Sequence, residues 1–418
     1  MTAPTPARTP RRTLLGVAVT AALTATTLTT TTLTTTATAA PAHAQDRHAA
    51  TRAVMEEHVR AGLPGVLGGT RERTGGRTLA WNASAGVADL TSGRKRQERD
   101  HFRIGSISKV FTSVVLLQLE DEGRLDLDDT VEKYLPGVVH GNGHDGNRIT
   151  LRQLLNHTSG IYNYTDDPAF RKELTEDFTA HRYQTRTPAQ LVATAMRHAP
   201  SFSPGEPGKW QYSNTNYILA GMVVEKVTGH SYASEIERRI LRPLGLRQTS
   251  LPGTSPWMPD PSGRAYSKML GDPEGRTYDV TELNMTWGWA AGEIISTTGD
   301  LNRFYSALLG GELLPERRQR ELLTTVPAND DKSVGYGLGV QTSRLSCGKD
   351  VWFHSGGVHG SVSLAAATPD GRHTAAFNVN GDWAAVDLQA LLESEYCGTR
   401  PPAGKGSGPA PERLLSPR

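Results

Sequence analysis

The hydrophobic pattern changes period along the chain, and the changes mark out the elements. Residues 64–90 read as two strands around the turn Thr74-Gly75-Gly76-Arg77, with a further turn at Thr91-Ser92-Gly93. A helix starts near Ser106. Its Val110, Phe111, Val114, Val115, Leu116, Leu117 and Leu119 leave almost no polar face, so it is expected at the centre of the molecule, ended by Gly123. Across residues 125–285, helical spacing at 151–155, 188–197, 217–227 and 232–241 between Gly and Pro breaks describes a loop-rich helical insertion. Beyond Gly299 the pattern predicts a helix at 301–309, extended runs at 335–340, 351–354, 361–367 and 374–379, and a last helix at 384–396.

Strands at both ends of the chain can then close one antiparallel sheet. The fold class read from this is α/β: an antiparallel sheet flanked by helices, with an inserted, mostly helical lobe. The sheet lobe takes about residues 45–110 and 286–398, the helical lobe about 111–285. From Thr399 the chain is rich in Pro and Gly, and a disordered tail is expected over 399–418.

Composition narrows the class. The 418 residues are 37% hydrophobic and 21% charged, which is globular. Lys and Arg number 45 against 43 Asp and Glu, a net charge of +2, too balanced for nucleic acid or a membrane surface to be the main partner.

The first 44 residues read as an address. Arg8, Arg11 and Arg12 precede a small-residue apolar stretch, and Ala42-His43-Ala44 offers a cleavage site after Ala44. Arg11-Arg12-Thr13-Leu14-Leu15 fits a twin-arginine export signal, with the general secretory route as the alternative. Threonines between Thr24 and Thr38 interrupt the apolar run, so no stable membrane anchor is expected. Export to an oxidising compartment makes the two cysteines, Cys347 and Cys397, expected disulfide partners, with two buried thiols as the alternative.

A serine acts as a nucleophile only beside a base, and Ser-x-x-Lys on a helix sets both side chains on one face. The spacing occurs at Ser92/Lys95, Ser106/Lys109 and Ser346/Lys349. The first lies in a Gly- and Arg-rich turn and the third holds Gly348 beside Cys347, whereas Ser106 opens the central helix, where unpaired backbone N–H groups face a developing oxyanion. Of 12 tyrosines, only Tyr212 has Asn two positions on, in Tyr212-Ser213-Asn214; Ser213 or Asn214 as a plain helix cap is the competing view. His354-Ser355-Gly356 continues as Gly357-Val358-His359-Gly360, glycines that let a substrate approach a strand edge. No Gly-x-Ser-x-Gly elbow is present, which argues against an α/β-hydrolase. His140-Gly141-Asn142-Gly143-His144-Asp145 is read as a polar loop rather than a metal site, and His157 and His359 as hydrogen-bonded structural histidines.

These three elements, in this order on a helix, a lobe loop and a strand, resemble the Ser-x-x-Lys, Tyr-x-Asn and His-x-Gly set of the secreted D-alanyl-D-alanine carboxypeptidases, penicillin-binding serine hydrolases related to class C β-lactamases. The resemblance spans about residues 50–397. It includes the Gly-x-Leu-x-Leu-Asp-Asp continuation of the helix, Leu154 to Ile161, and the Cys347/Cys397 pair, which matches the disulfide of a soluble secreted member.

The resemblance implies an acyl-enzyme on Ser106, with the Ser106 and Gly357 N–H groups holding the oxyanion. Lys109 favours ionisation of the Tyr212 phenol, Tyr212 relays the proton, and His354 supports it; Lys109 as the base is the alternative. Asn214 is expected to orient the substrate amide, Ser355 and Gly356 to hold its carboxylate end, and Trp287 to pack on its apolar side chain. Peptidoglycan stem peptides or β-lactams are the implied partners, with no cofactor, no metal and a monomer expected. A β-lactamase, a D-amino-acid esterase or amidase, and a penicillin sensor that acylates without turnover remain alternatives. One departure bears on this choice: where the carboxypeptidases have an Arg that holds the substrate carboxylate and a His-Thr-Gly strand, this chain has Gln341 and Ser355, with Arg344 as the possible substitute cation.

Overall fold

The structure is a computed structural model that describes residues 47–269, 275–329 and 333–399. The expected leader and the tail from 400 onward lie outside the described residues. In chain order the elements that build the site are α1 (Ala49–Arg60), β1 (Gly65–Thr74), β2 (Arg77–Gly86), α2 (Ser108–Asp121), α3 (Asn214–Thr228), α4 (Trp289–Gly292), α5 (Thr298–Leu309), β3 (Val326–Pro327), β4 (Val334–Tyr336), β5 (Gln341–Arg344), β6 (Asp350–Val358), β7 (Ser361–Ala367), β8 (His373–Val379) and α6 (Leu388–Cys397).

The eight strands form one sheet in the order β2-β1-β8-β7-β6-β5-β4-β3, antiparallel throughout. Strands from the two ends of the chain meet at β1 and β8, where Val66 lies opposite Val379. Each face of the sheet buries its own core. On one face α1 and α6 pack Val54, Met55, Leu391 and Leu392 against Phe353, Leu364 and Phe377. The other core gathers α2, α3 and α5 with Ala365, Ala367 and Ala376 of the sheet. Helix α2 runs through this second core with twelve of its fourteen residues buried, as a helix with no polar face must. Each fully buried Val, Leu or Phe there contributes roughly 1.5–3 kcal/mol. Cys347, after β5, is disulfide-bonded to Cys397 at the end of α6.

Several boundaries differ from the expected ones, each for a local reason. Helix α3 begins at Asn214, so the Tyr-x-Asn segment runs straight into the helix. Helix α6 begins at Leu388 because the Asp387 side chain accepts from the Ala390 N–H and caps it. The run 335–340 is extended only to Tyr336; Gly337 N–H then bonds Val340 O and the chain turns. The run 232–241 is helical to Ile236 and continues as a π-helical turn, Glu237–Leu241. Strand β6 outruns the expected 351–354 and continues through both glycines to Val358, held by pairing with β7. Helix α1 and strand β5 were not anticipated by periodicity.

Candidate active site

Ser106 lies in the 3-10 turn Gly105–Ile107 that leads into α2. Strand β6 crosses this turn at contact distance. A Cβ on Gly356 would stand 1.9 Å from Ile104 O and 2.9 Å from Ser106 N, and one on Gly105, whose φ is +54°, would stand 2.8 Å from Gly357 N. Both positions therefore exclude any side chain, and the Ser106 and Gly357 amides meet at one crossing. Residues 341–344 of β5 pair with 350–353 of β6, whereas His354–Val358 pair with β7 alone. The glycine segment is thus a strand edge beside the serine.

One turn along α2, the Lys109 ammonium is fully buried. It donates to Ser106 Oγ at 3.0 Å, Asn214 Oδ1 at 2.8 Å and Ala291 O at 2.8 Å. Three acceptors match the three donors of an ammonium, which is what makes its burial tolerable. They come from the turn before α2, from α3 and from α4, so this one side chain ties three separate segments together at Ser106. Asn214 is held in turn: its Nδ2 donates to Thr165 Oγ1 and its backbone N–H to Asn163 Oδ1. Lys109 Nζ also stands 4.8 Å from the centre of the Tyr212 ring and 5.5 Å from that of Tyr217. A cation at that range favours electron density and negative charge on the ring.

His354 is buried, with Nδ1 on Ser355 O and Nε2 3.1 Å from the Tyr336 hydroxyl. Burial, and then the Lys109 charge, push its pKa down to about 3. The imidazole is neutral at working pH, and its bonded neighbour is Tyr336, a residue that no motif singled out. Burial likewise holds His157 well below the ordinary histidine value, with the Lys109 charge adding to it.

Gly356, Gly357 and Ser355 lie on the strand beside Ser106, with Ser355 buried. Trp287 is 3% exposed, its carbonyl accepting from Tyr164 and its ring set edge-on to His359. Gln341 begins β5 opposite Phe353 and Tyr336 and is buried. Arg344 ends the same strand with its side chain 71% exposed and pairs with Asp350, so it does not take the place of a cation at Gln341. The other Ser-x-x-Lys pairs are structural or exposed: Ser346 bonds Glu393, Lys349 bonds Tyr396 O, and Ser92 sits in a surface turn.

Sequence reasoning missed Thr165, Asn163 and the Ala291 carbonyl, which hold the lysine and asparagine. It also missed Tyr336, although Tyr336-Gly337-Leu338-Gly339 carries a usable signal. Gly339 has φ +85°, and a Cβ there would stand 2.4 Å from Ser113 Oγ and 3.2 Å from Lys109 O, so the turn after Tyr336 lies against α2.

A serine in the turn that leads into a buried helix, a lysine within that helix, a tyrosine beside the ammonium and a glycine strand edge across the crossing, all against an antiparallel sheet, define a serine hydrolase of the penicillin-recognising fold. Residues 55–393 match the Beta-lactamase family, and the chain belongs to it. Penicillin-binding protein 4* of Bacillus subtilis (strain 168) is 28% identical over 330 residues, 76% of this chain and 69% of that protein. The putative penicillin-binding protein PbpX of the same organism is 27% identical over 62% of this chain, a match spanning 58% of its own length. Among solved structures, a D-stereospecific amidohydrolase from Streptomyces sp. shares 52% identity over 84% of this chain and 99% of its own, with a TM-score of 0.79. The D-amino acid amidase of Ochrobactrum anthropi SV3 complexed with L-phenylalanine amide shares 26% identity over 81% of this chain and 93% of its own, with a TM-score of 0.69.

Proposed function

We propose that the protein is an exported serine amidohydrolase acting on acyl donors of D configuration, amides and esters of D-amino acids and short peptides built from them. The observation that carries the chemistry is the buried Lys109 ammonium bridging Ser106 Oγ, Asn214 Oδ1 and Ala291 O beside the Tyr212 ring. Ser106 Oγ attacks the carbonyl carbon and its proton passes to Tyr212, whose ionised form the Lys109 charge favours. The Ser106 and Gly357 N–H groups receive the oxyanion. Tyr212 then returns the proton to the leaving amine, the C–N bond breaks, and an acyl-enzyme remains for water to cleave. Asn214 and Ser355 line the substrate on either side of the serine, Gly356 lets it reach the strand, and Trp287 supports the apolar wall. Neutral His354 holds its strand in place.

Two observations favour amides and esters over D-alanyl-D-alanine carboxypeptidase activity. Gln341 brings no charge for a terminal carboxylate, and Arg344 is exposed and paired elsewhere. A charge-assisted contact to a carboxylate is worth about 1.5–3 kcal/mol, a tenfold or larger effect on such substrates. The 52% identity to a D-stereospecific amidohydrolase supports the same choice. The carboxypeptidase is the second reading, favoured by the similarity to penicillin-binding protein 4*.

Intact mass and product release after mixing with D-phenylalanine amide, L-phenylalanine amide, a peptide ending in D-Ala-D-Ala, and benzylpenicillin separate these readings. Hydrolysis of the D-amide alone, absent in Ser106→Ala, is expected. Preferred release of D-alanine from the peptide, with a lasting penicillin adduct, gives the carboxypeptidase instead; loss of the drug gives a β-lactamase. Acylation of Ser106→Ala would sink the nucleophile assignment.

A further inference from the structure

The hydrogen bonds around His157 run in only one direction. Its Nδ1 accepts from the Ser213 backbone N–H at 3.2 Å and lies 3.0 Å from Asn216 Nδ2, whose own Oδ1 is taken by Ser159 Oγ. A backbone N–H cannot accept, so Nδ1 carries no proton, and the proton of this neutral ring sits on Nε2. From there it points at the Tyr336 hydroxyl, 3.2 Å away. The phenol, receiving that proton, donates its own to His354 Nε2, and the His354 Nδ1–H then donates to Ser355 O. One hydroxyl thus joins a loop of the helical region to strand β6, and because its single proton goes to His354 it can only accept from His157, which couples the tautomers of the two rings.

The other end of His157 grips Tyr212. The Gln211 N–H donates to His157 O at 3.2 Å, so the residues on both sides of Tyr212 hang from this one histidine. The two rings lie 4.3 Å apart, centre to centre. Carbonyl and imidazole can face the same segment because His157 has φ +62°, a left-handed conformation uncommon for a side-chain-bearing residue and more frequent in His, Asn and Asp. Such strain persists where surrounding contacts over-determine it, and here those contacts are the hydrogen bonds to both neighbours of Tyr212.

We propose that His157 and Tyr336 are positioning residues for Tyr212: His157 clamps the backbone on either side of the phenol, and Tyr336 locks His157 in the tautomer whose bare Nδ1 makes the clamp. The proposal deepens the reading of Tyr212 as the proton carrier and rests on it. The ionisable groups near Tyr212 are Lys109, His157 and Tyr217, with Tyr336 and His354 behind them. Both imidazoles are held neutral by burial, so Lys109 supplies the positive charge felt by the phenol.

The test combines imidazole nitrogen NMR with kinetics on a D-amino acid amide for Tyr336→Phe, His157→Asn, His157→Leu and Tyr212→Phe. In the wild type, an unprotonated Nδ1 on His157 and an unprotonated Nε2 on His354 are expected throughout pH 5–8. Tyr336→Phe is expected to lower kcat about tenfold with KM nearly constant, and to move the acid limb of the kcat/KM profile upward as Tyr212 drifts from Lys109. His157→Asn keeps an acceptor near the Nδ1 position and tolerates positive φ, so it should retain most activity, whereas His157→Leu should fall about a hundredfold. A proton on His157 Nδ1, a Tyr336→Phe profile unmoved from wild type, or equal losses in the Asn and Leu variants would each overturn the proposal. Wild-type rates in Tyr212→Phe would overturn the proton-carrier reading itself, an outcome distinct from an unmoved Tyr336→Phe profile in an enzyme that still needs Tyr212.

Discussion

Gly356 and Ile104 are so close that a single added carbon on the glycine would stand 1.9 Å from the Ile104 carbonyl oxygen. Strand β6 and the Ser106 turn are therefore in backbone contact, and the spacing of the Ser106 and Gly357 amides, the proposed oxyanion donors, depends on it. Gly356→Ala is expected to reduce acylation by at least about a hundredfold, comparable to loss of an oxyanion-hole donor. Burst kinetics with a chromogenic ester measure this. Unchanged acylation would mean that the crossing does not shape the oxyanion site.

Removing the Lys109 ammonium leaves Ser106 Oγ, Asn214 Oδ1 and Ala291 O buried without their shared donor. Lys109→Met should lower acylation about a thousandfold or more and cost roughly 1–3 kcal/mol of stability from orphaned polar groups. Mass spectrometry and thermal unfolding check the two parts separately.

Substrate choice should respond to Gln341 and ignore Arg344. Gln341→Arg is expected to raise the ratio of kcat/KM for a donor with a free terminal carboxylate over its amide by about tenfold or more. Arg344→Ala should leave the ratio unchanged, because that side chain is 71% exposed and ion-paired with Asp350. A ratio that moves with Arg344 would reverse the assignment.

The Glu293 carboxyl follows α4 and is pushed up to about 7 by burial, opposed by a hydrogen bond from the Gly253 backbone and by the Arg103 charge. The folded protein then holds this proton more tightly than the unfolded chain, so stability falls as pH rises from about 4.5 to about 7 and the loss persists above. Glu293→Gln should be nearly neutral at pH 4 and stabilising at pH 8, by an amount of order 1–3 kcal/mol. Equal effects at both pH values in thermal unfolding would contradict this.

Glu395 on α6 has the opposite sign. Burial alone would raise it, but hydrogen bonds from His373 and His48 hold it down at about 2. Its contribution is present above the ordinary glutamate value and is lost as pH falls through about 2. Glu395→Gln should destabilise the protein at pH 6, and the gap from wild type should close on acidification. A gap independent of pH would show that packing, not charge, is what the residue supplies.

The sequence by itself carried the pairing of Ser106 with Lys109 and most of the strands. Residues 106 and 109 are one helical turn apart, so their meeting is a local consequence of the helix, and β7 and β8 are legible because long apolar runs beside a Pro-Asp-Gly turn have few other solutions. Strand β6 was only half legible, since Gly356 and Gly357 have no side chain with which to signal extension and are kept extended by β7.

The partners of the lysine and the histidines were decided only by the tertiary structure. Lys109 meets Asn214 and Ala291 from 105 and 182 positions away, and Tyr336 stands between histidines 179 positions before it and 18 after. No local periodicity records such pairs. They follow from the closing of the sheet by both chain ends, and from the cost of burying an ammonium or an imidazole before every donor and acceptor around it has found a partner.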